Sequence, residues 1–461
     1  MKEMKSSNAG NLLPMLSVTV LFFMWGFITS LNDILIPYLK GVYSLTHFEA
    51  NIVQFAFFIA YFVGSSVFYL LSKKGLDTIS LYGYKSTLVI GLLVACFACS
   101  LFALSAYFEM GFAFFLIALF SLGLGLTFLQ IAANPFVALI GNPDTASSRL
   151  NLSQAFNSLG TTFGPAVGGY LIFSIFADKT EDSVSSVIIP YFVLSLLLLF
   201  LAVFIGFSKI HISEEQTTKH QYKKSIFSYP YVLFGALGIF FYVGAEVSVG
   251  SNTISYLKET MNMHESTASA YLSYYWGGAM IGRFLGAVSL SKAKGIKKIL
   301  LMLLLACIGF ILIFTTNYKL HNLDFAHTST FLCFMLFNLI GFYFGKGIPS
   351  RLLAVFACAN IVLLSLSMMT AGSIALWSLL SIGLFNSIMW SNVFTLAIDG
   401  LKDRTAEASS ILIMMILGGA ILPPLQGMLA DNIGIKYSFF VPMISYAYLL
   451  IYGLKTYKKR R

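Results

Sequence analysis

Apolar residues run through this chain in blocks of about twenty, separated by short polar punctuation. Ser186 to Ser208, for example, contains no Asp, Glu, Lys or Arg. At roughly 1.5 Å per residue, such a block crosses the hydrocarbon core of a bilayer as a helix. A helix also satisfies its own backbone groups where no water can. Reading each block against its punctuation predicts fourteen spans. They lie near 15–40, 49–72, 84–106, 111–140, 148–176, 187–208, 229–257, 266–291, 297–316, 329–347, 350–370, 373–399, 406–430 and 436–455. The pattern is that of an all-α polytopic membrane protein.

Composition agrees. Hydrophobic residues make up 58% of the chain and charged residues only 10%, where a soluble chain carries about 25% charged. The formal charge of +10 does not point to nucleic acid, because it is spread over short loops and tails with no basic helix or patch. It points to orientation. With the N-terminus inside, the cytoplasmic segments gather about 24 Lys and Arg against about 5 outside, so both termini are expected in the cytoplasm. Arg283 is counted with the cytoplasmic group. Cys96, Cys99, Cys307, Cys333 and Cys358 all fall inside spans, as packing residues rather than a disulfide framework or a metal site. No cofactor or metal is implied. The segment MKEMKSSNAGNLLP has no A-x-A cleavage site, so the first span reads as a retained helix.

The chain also repeats itself. Phe22, Gly26, Tyr38, Leu39 and Lys40 meet Phe240, Gly244, Tyr256, Leu257 and Lys258 at one offset of about 218. The segment SVFYLLSK ending at Lys73 meets GAVSLSK ending at Lys292 at nearly the same offset. GTTFGPAVGG (160–169) then meets GAILPPLQGM (419–428) at an offset of about 259. The jump requires an insertion, and the room for it is a helical hairpin at about 295–348. Two six-helix bundles follow, 1–208 and 229–461, joined by a polar linker at 209–228. Parallel six-helix repeats are the major facilitator architecture.

Polar side chains inside spans are costly and so are functional candidates. Asp33 in the first helix and Glu246 in the seventh are the candidate proton-coupling carboxylates. Asn32, Gln54, Gln130, Asn134, Gln154, Asn157 and Asn386 supply amides, which donate and accept at once, as sugar hydroxyls do. Asn151 extends the fifth-helix amide face, and Asn392 lies near Asn386. Trp25, Tyr275 and Trp276 could stack on a pyranose ring. The bland alternative for each is interhelical polar packing. The glycines of GTTFGPAVGG read as helix packing, although GPxxGG is also similar to a motif of major facilitator antiporters.

Together these segments resemble the fucose/glucose-galactose permease family of major facilitator sugar symporters. The resemblance is carried by WGFITSLNDILIPYLK (25–40), QFAFFIAYFVGS (54–65), LQIAANPFVALIG (129–141) and ASSRLNLSQAFNSLGTTFGP (146–165). In the second half it is carried by YVGAEVSVGSN (242–252), YLSYYWGGAMIGRFLGA (271–287), GLFNSIMW (383–390) and ILGGAILPPLQGMLAD (416–431). It implies uptake of a hexose with a cation, a proton or sodium, across a bacterial inner membrane by a monomer. It matches the family's first-helix carboxylate to Asp33 and its fifth-helix amide to Asn157. Fucose permeases resemble LETAANP where this chain reads LQIAANP. Gln130 cannot titrate, which counts against a two-carboxylate mechanism and draws the chain toward the glucose/galactose branch. Fucose or N-acetylglucosamine uptake and drug efflux are the alternatives within the fold. A membrane-embedded enzyme or sensor lacks any supporting motif.

Overall fold

The computed structural model describes residues 12–72, 76, 78–139, 146–176, 184–208, 228–289, 295–398 and 405–459. The expected linker at 209–228 lies outside them except for Ser228. So do Lys73, Lys74, Lys292, Lys294, Lys402 and Arg404, which weigh in the orientation.

Every regular element among the described residues is helical. The first half holds α1 (Leu12–Val42), α2 (His47–Ser72), α3 (Thr78–Tyr107), α4 (Phe112–Leu139), α5 (Ala146–Phe163) and α6 (Ile188–Phe207). The second half opens with α7 (Pro230–Met261), α8 (Glu265–Ser289), α9 (Gly295–His321), α10 (Phe325–Thr328) and α11 (Thr330–Gly345). It closes with α12 (Pro349–Met369), α13 (Gly372–Asn386), α14 (Met389–Ile398), α15 (Thr405–Met414), α16 (Gly418–Ile433), α17 (Ile435–Ser438) and α18 (Phe440–Lys459). Each expected span coincides with one helix or one broken helix. Twelve of these segments are long and apolar enough to cross a membrane by composition. α5 and α8 are not among the twelve, since both carry rows of Ser, Asn, Gln, Tyr or Arg that suit an interior position.

α5 does not end at Phe163. It continues through two π-helical turns, Gly164–Gly168 and Leu171–Ile175. Pro165 explains the first, because it lacks an N–H and disrupts the i to i−4 ladder. The widened turn presents the Ala166 carbonyl sideways, where it lies 2.8 Å from His321 Nε2 at the end of α9.

The helices pack in two corresponding sets. α1 lies along α5, α2 along α4, and α3 along both α4 and α6. In the second set α7 lies along α16, α8 along α13, and α12 along both α13 and α18. The hairpin of α9 and α11 has no counterpart. It flanks α8, α12 and α13, and its two apolar windows are only 28% and 33% buried, against 83% for Gly372–Ile398. The sets meet along α2–α16, α5–α8 and α1–α7.

Close approach in each set places a glycine against the first helix of that set. Gly160 lies against the Phe23 carbonyl and Gly418 against the Phe240 carbonyl, and a Cβ at either would overlap that oxygen. Small residues of this kind let membrane helices come into contact along their backbones. Gly418→Val should therefore lower the melting temperature in detergent by about 3–8 °C. Tryptophan fluorescence on heating would read it, and an unchanged transition would mean that α7 and α16 do not meet there.

Candidate transport site

Asp33 is a buried point where the two sets are tied together. It lies in α1, 2% exposed. Its Oδ1 accepts from Gln54 Nε2 of α2 and from Ser251 Oγ of α7, both at 3.0 Å. Its Oδ2 accepts from Trp276 Nε1 of α8 at 2.9 Å. Gln54 Nε2 also lies 2.8 Å from Ser251 Oγ. Two of the three donors come from the opposite set. Hydrogen bonds to an ionised group are worth about 1.5–3 kcal/mol each, more than those between neutral groups. All three donors are neutral. The carboxylate is held by dipoles rather than by a cation.

Ser251 was not singled out from the sequence, yet a signal existed. It stands 218 residues after Asp33, which is the offset of the repeat. Corresponding positions of α1 and α7 thus touch across the pseudo-symmetry axis. Gly250 allows the contact, since a Cβ there would press on the Trp276 ring and Asp33 Oδ2.

The other candidates separate into three groups. Asn32, beside Asp33, is fully buried, and neither its amide nitrogen nor its oxygen has a hydrogen-bond partner among the described residues. Trp25, Gln130, Gln154, Asn157 and Trp276 are half-buried on α1, α4, α5 and α8. Asn157 also donates from Nδ2 to the Phe22 carbonyl at 3.0 Å, joining α5 to α1. The side chains of Asn134 and Asn151 lie outside the described set. Tyr275 and Asn386, by contrast, are fully buried within the second set. Tyr275 Oη donates to the Glu246 carbonyl at 2.7 Å and accepts from Asn386 Nδ2 at 2.9 Å. Asn386 Oδ1 accepts from Tyr446 Oη at 2.7 Å and Asn360 Nδ2 at 2.9 Å.

Glu246 has a different setting from Asp33. Tyr242 Oη donates to its Oε1 at 2.8 Å, and Arg283 Nη2 lies 3.8 Å away. Arg283 is therefore an interior residue of α8 and not part of a cytoplasmic loop, as its charge alone suggested. Its Nη1 donates to Ser158 Oγ on α5, across the interface.

At one end of the bundle the sets are closed. Lys40 Nζ lies 2.9 Å from Glu259 Oε1, and His47 Nε2 lies 3.0 Å from the same oxygen. Asp431, at the end of α16, accepts from the His47 and Phe48 backbone N–H groups at 2.8 and 2.9 Å. A carboxylate from one set thus caps the helix N-terminus of the other, where the dipole favours negative charge. The cap adds to a local one, since Thr46 and Glu49 bond reciprocally at the same helix start.

Two corresponding helix sets around a sparse polar interior match a known family. The major facilitator superfamily model matches residues 18–345. The chain belongs to the major facilitator superfamily. It is 40% identical over 443 residues to the glucose/galactose transporter of Brucella abortus, covering 95% of this chain and 92% of that one. It is 38% identical over 463 residues to the putative glucose/galactose transporter of Helicobacter pylori, covering 97% and 98%. The L-fucose-proton symporter of Escherichia coli is 27% identical over 467 residues, covering 96% and 92%. A crystal structure of the E. coli fucose:proton symporter superposes with a TM-score of 0.62 at 25% identity, covering 97% and 99%. Another, described as being in the outward conformation, gives 0.63 at 26% with the same coverage. As a major facilitator protein the chain is a multi-pass membrane transporter and not an enzyme.

Within that superfamily the GPxxGG segment is one clue to efflux, and here its glycines are packing residues. Gly164 meets Ser30, Gly168 meets Leu31 and Gly169 meets Ser269. The closed end offers a direct check on motion. A short thiol cross-linker joining Lys40→Cys to Glu259→Cys should halt transport, and cleaving the link should restore it. Transport that continues with the link in place would show that this end need not open.

Proposed function

We propose that this protein takes up a hexose, glucose or galactose, together with a proton across a bacterial inner membrane. The single observation carrying the reading is Asp33, a buried carboxylate on which donors from both sets converge. The relatives named for glucose and galactose transport at 38–40% identity support the substrate. The fucose–proton symporter supports the coupled ion.

The mechanism is alternating access between two bundles, 1–208 and 229–461, joined by the linker at 209–228. The hairpin at about 295–348 is an insertion at the periphery, which its low burial and lack of a counterpart support. The loop charges favour cytoplasmic termini, which puts the Lys40–Glu259 end outside. The structure is then an outward-closed state, and the outward conformation of the fucose symporter is another stage of the same cycle. The protein works as a monomer within the bilayer.

Asp33 does the coupling. Ionised, it accepts strongly from Ser251 and Trp276 and ties the bundles together. Protonated, it loses its charge and the strength of those bonds falls to that of neutral pairs. Gln54 orients the carboxylate rather than the sugar. Gln130, Asn134, Gln154 and Asn157 bind hydroxyls, with Trp25 and Trp276 against the ring. Because Trp276 also holds Asp33, a sugar against its indole reports directly on the proton site.

The test is Asp33→Asn in proteoliposomes. Uptake by the unaltered protein should rise as the outer pH falls, because a proton must be loaded with the sugar. The variant should lose accumulation driven by a pH gradient, keep counterflow of labelled glucose, and show a flat pH dependence. Unchanged accumulation would remove Asp33 from the coupling. Replacing sodium at constant pH separates proton from sodium coupling.

A further inference from the structure

Glu246 and Asp33 are both buried carboxylates, but their surroundings give them opposite electrostatic tasks. Asp33 is held by an amide, a hydroxyl and an indole. Glu246 is held by the Tyr242 hydroxyl and lies 3.8 Å from the Arg283 guanidinium. A guanidinium does not deprotonate in proteins. Protonating Glu246 would leave Arg283 with no counter-charge in a low-dielectric interior, a state of high energy. Protonating Asp33 removes a charge that no cation balances.

The backbone around the pair is adapted to it. The helix breaks between Asn386, which ends α13, and Met389, which begins α14. The break turns the Asn386 carbonyl to within 3.1 Å of Tyr242 Oη and the Ser387 carbonyl to within 3.4 Å of Arg283 Nε. Gly282 admits the Ser387 side chain, which a Cβ there would displace. On its far side the guanidinium donates to Ser158 Oγ, whose own hydroxyl donates to the Gln154 carbonyl one turn back. Tyr275 braces the Glu246 backbone from α8.

We propose that Arg283 and Glu246 form a permanent ion pair, with Arg283 a positioning residue that holds Glu246 ionised through the cycle and sets it against Ser158 of the first bundle. Proton traffic is thereby confined to Asp33. This rests on the coupled-uptake reading above. It also assigns the pair a place in substrate passage. The half-exposed guanidinium stands beside the α5 face that carries Gln154 and Asn157, so the pair orients that face without exchanging protons with it.

A four-member cycle tests the pair: the unaltered protein, Glu246→Gln, Arg283→Met, and both together. Each single change strands a charge or a donor set, so each should lower the melting temperature by about 5 °C and cut pH-driven glucose accumulation about tenfold. The double variant replaces both charges at once. It should melt within about 2 °C of the unaltered protein and keep at least about a third of its pH-driven accumulation. If a single variant cannot be purified, recovery of the double still reads the pairing. A double variant as unstable as the singles overturns the pairing, and one that moves glucose only down its own gradient overturns the proposal by making Glu246 a proton carrier. The melting limb needs no substrate. Failure of the unaltered protein to take up glucose would therefore sink the uptake reading and leave the ion pair to be judged on stability.

Discussion

The fold turns on one carboxylate and what surrounds it. Asp33 belongs to the first bundle, and two of its three hydrogen-bond donors, Ser251 and Trp276, belong to the second. Removing its charge weakens two bonds across the interface at a single stroke. A group that is acceptor-only when ionised is suited to that role, because one proton changes both its charge and its bonding capacity. Elsewhere the sets are joined by the buried Asn51–Asn252 amide pair and by Arg283 on Ser158. The Lys40–His47–Glu259 cluster and the Asp431 cap lie at one end. Ion pairs that are partly solvated contribute little individually.

Symmetry supplies the moving parts, and departures from it supply the chemistry. α1 with α5 and α7 with α16 repeat one packing arrangement, and each pair brings a glycine against a backbone carbonyl. At the corresponding positions of α1 and α7, however, one repeat carries a carboxylate and the other a serine. A strictly symmetric pair of carboxylates would repel at hydrogen-bond distance. Asp–Ser instead makes a bond that can be switched. Half-buried amides line α4 and α5 in the first bundle, while the corresponding region of the second holds a tyrosine and asparagine network that is closed on itself. The amides proposed to bind sugar therefore lie in the first bundle.

Much of the fold was legible in the sequence, because apolar block length and loop charge are set by the bilayer itself. Each of the fourteen predicted spans falls on a helix or a broken helix, and twelve segments are long and apolar enough to cross a membrane; the polar α5 and α8 are not among them. The site was legible in part. Asp33, Gln54 and Trp276 meet, whereas Tyr275 and Asn386 turn out to brace the second bundle. Arg283 was misplaced, since a cation near the end of a span reads as a loop charge until its partner is seen. Asp431 and Glu259 were hidden for a related reason: a carboxylate at a helix end gains its meaning from the helix it caps, and that helix is distant in sequence. The repeat offset pointed to Ser251, and only the symmetry of touching positions made that signal usable.

The proposed pairing of Glu246 with Arg283 leaves Asp33 as the proposed proton carrier. The most direct test is the coupling ratio, measured by balancing an outward glucose gradient against an inward proton gradient in proteoliposomes until net flux stops. One proton per sugar is the predicted balance, and Asp33→Asn should show no balance point that depends on pH. A ratio of two would mean that a second group titrates during transport, and would contradict the division between Asp33 and Glu246.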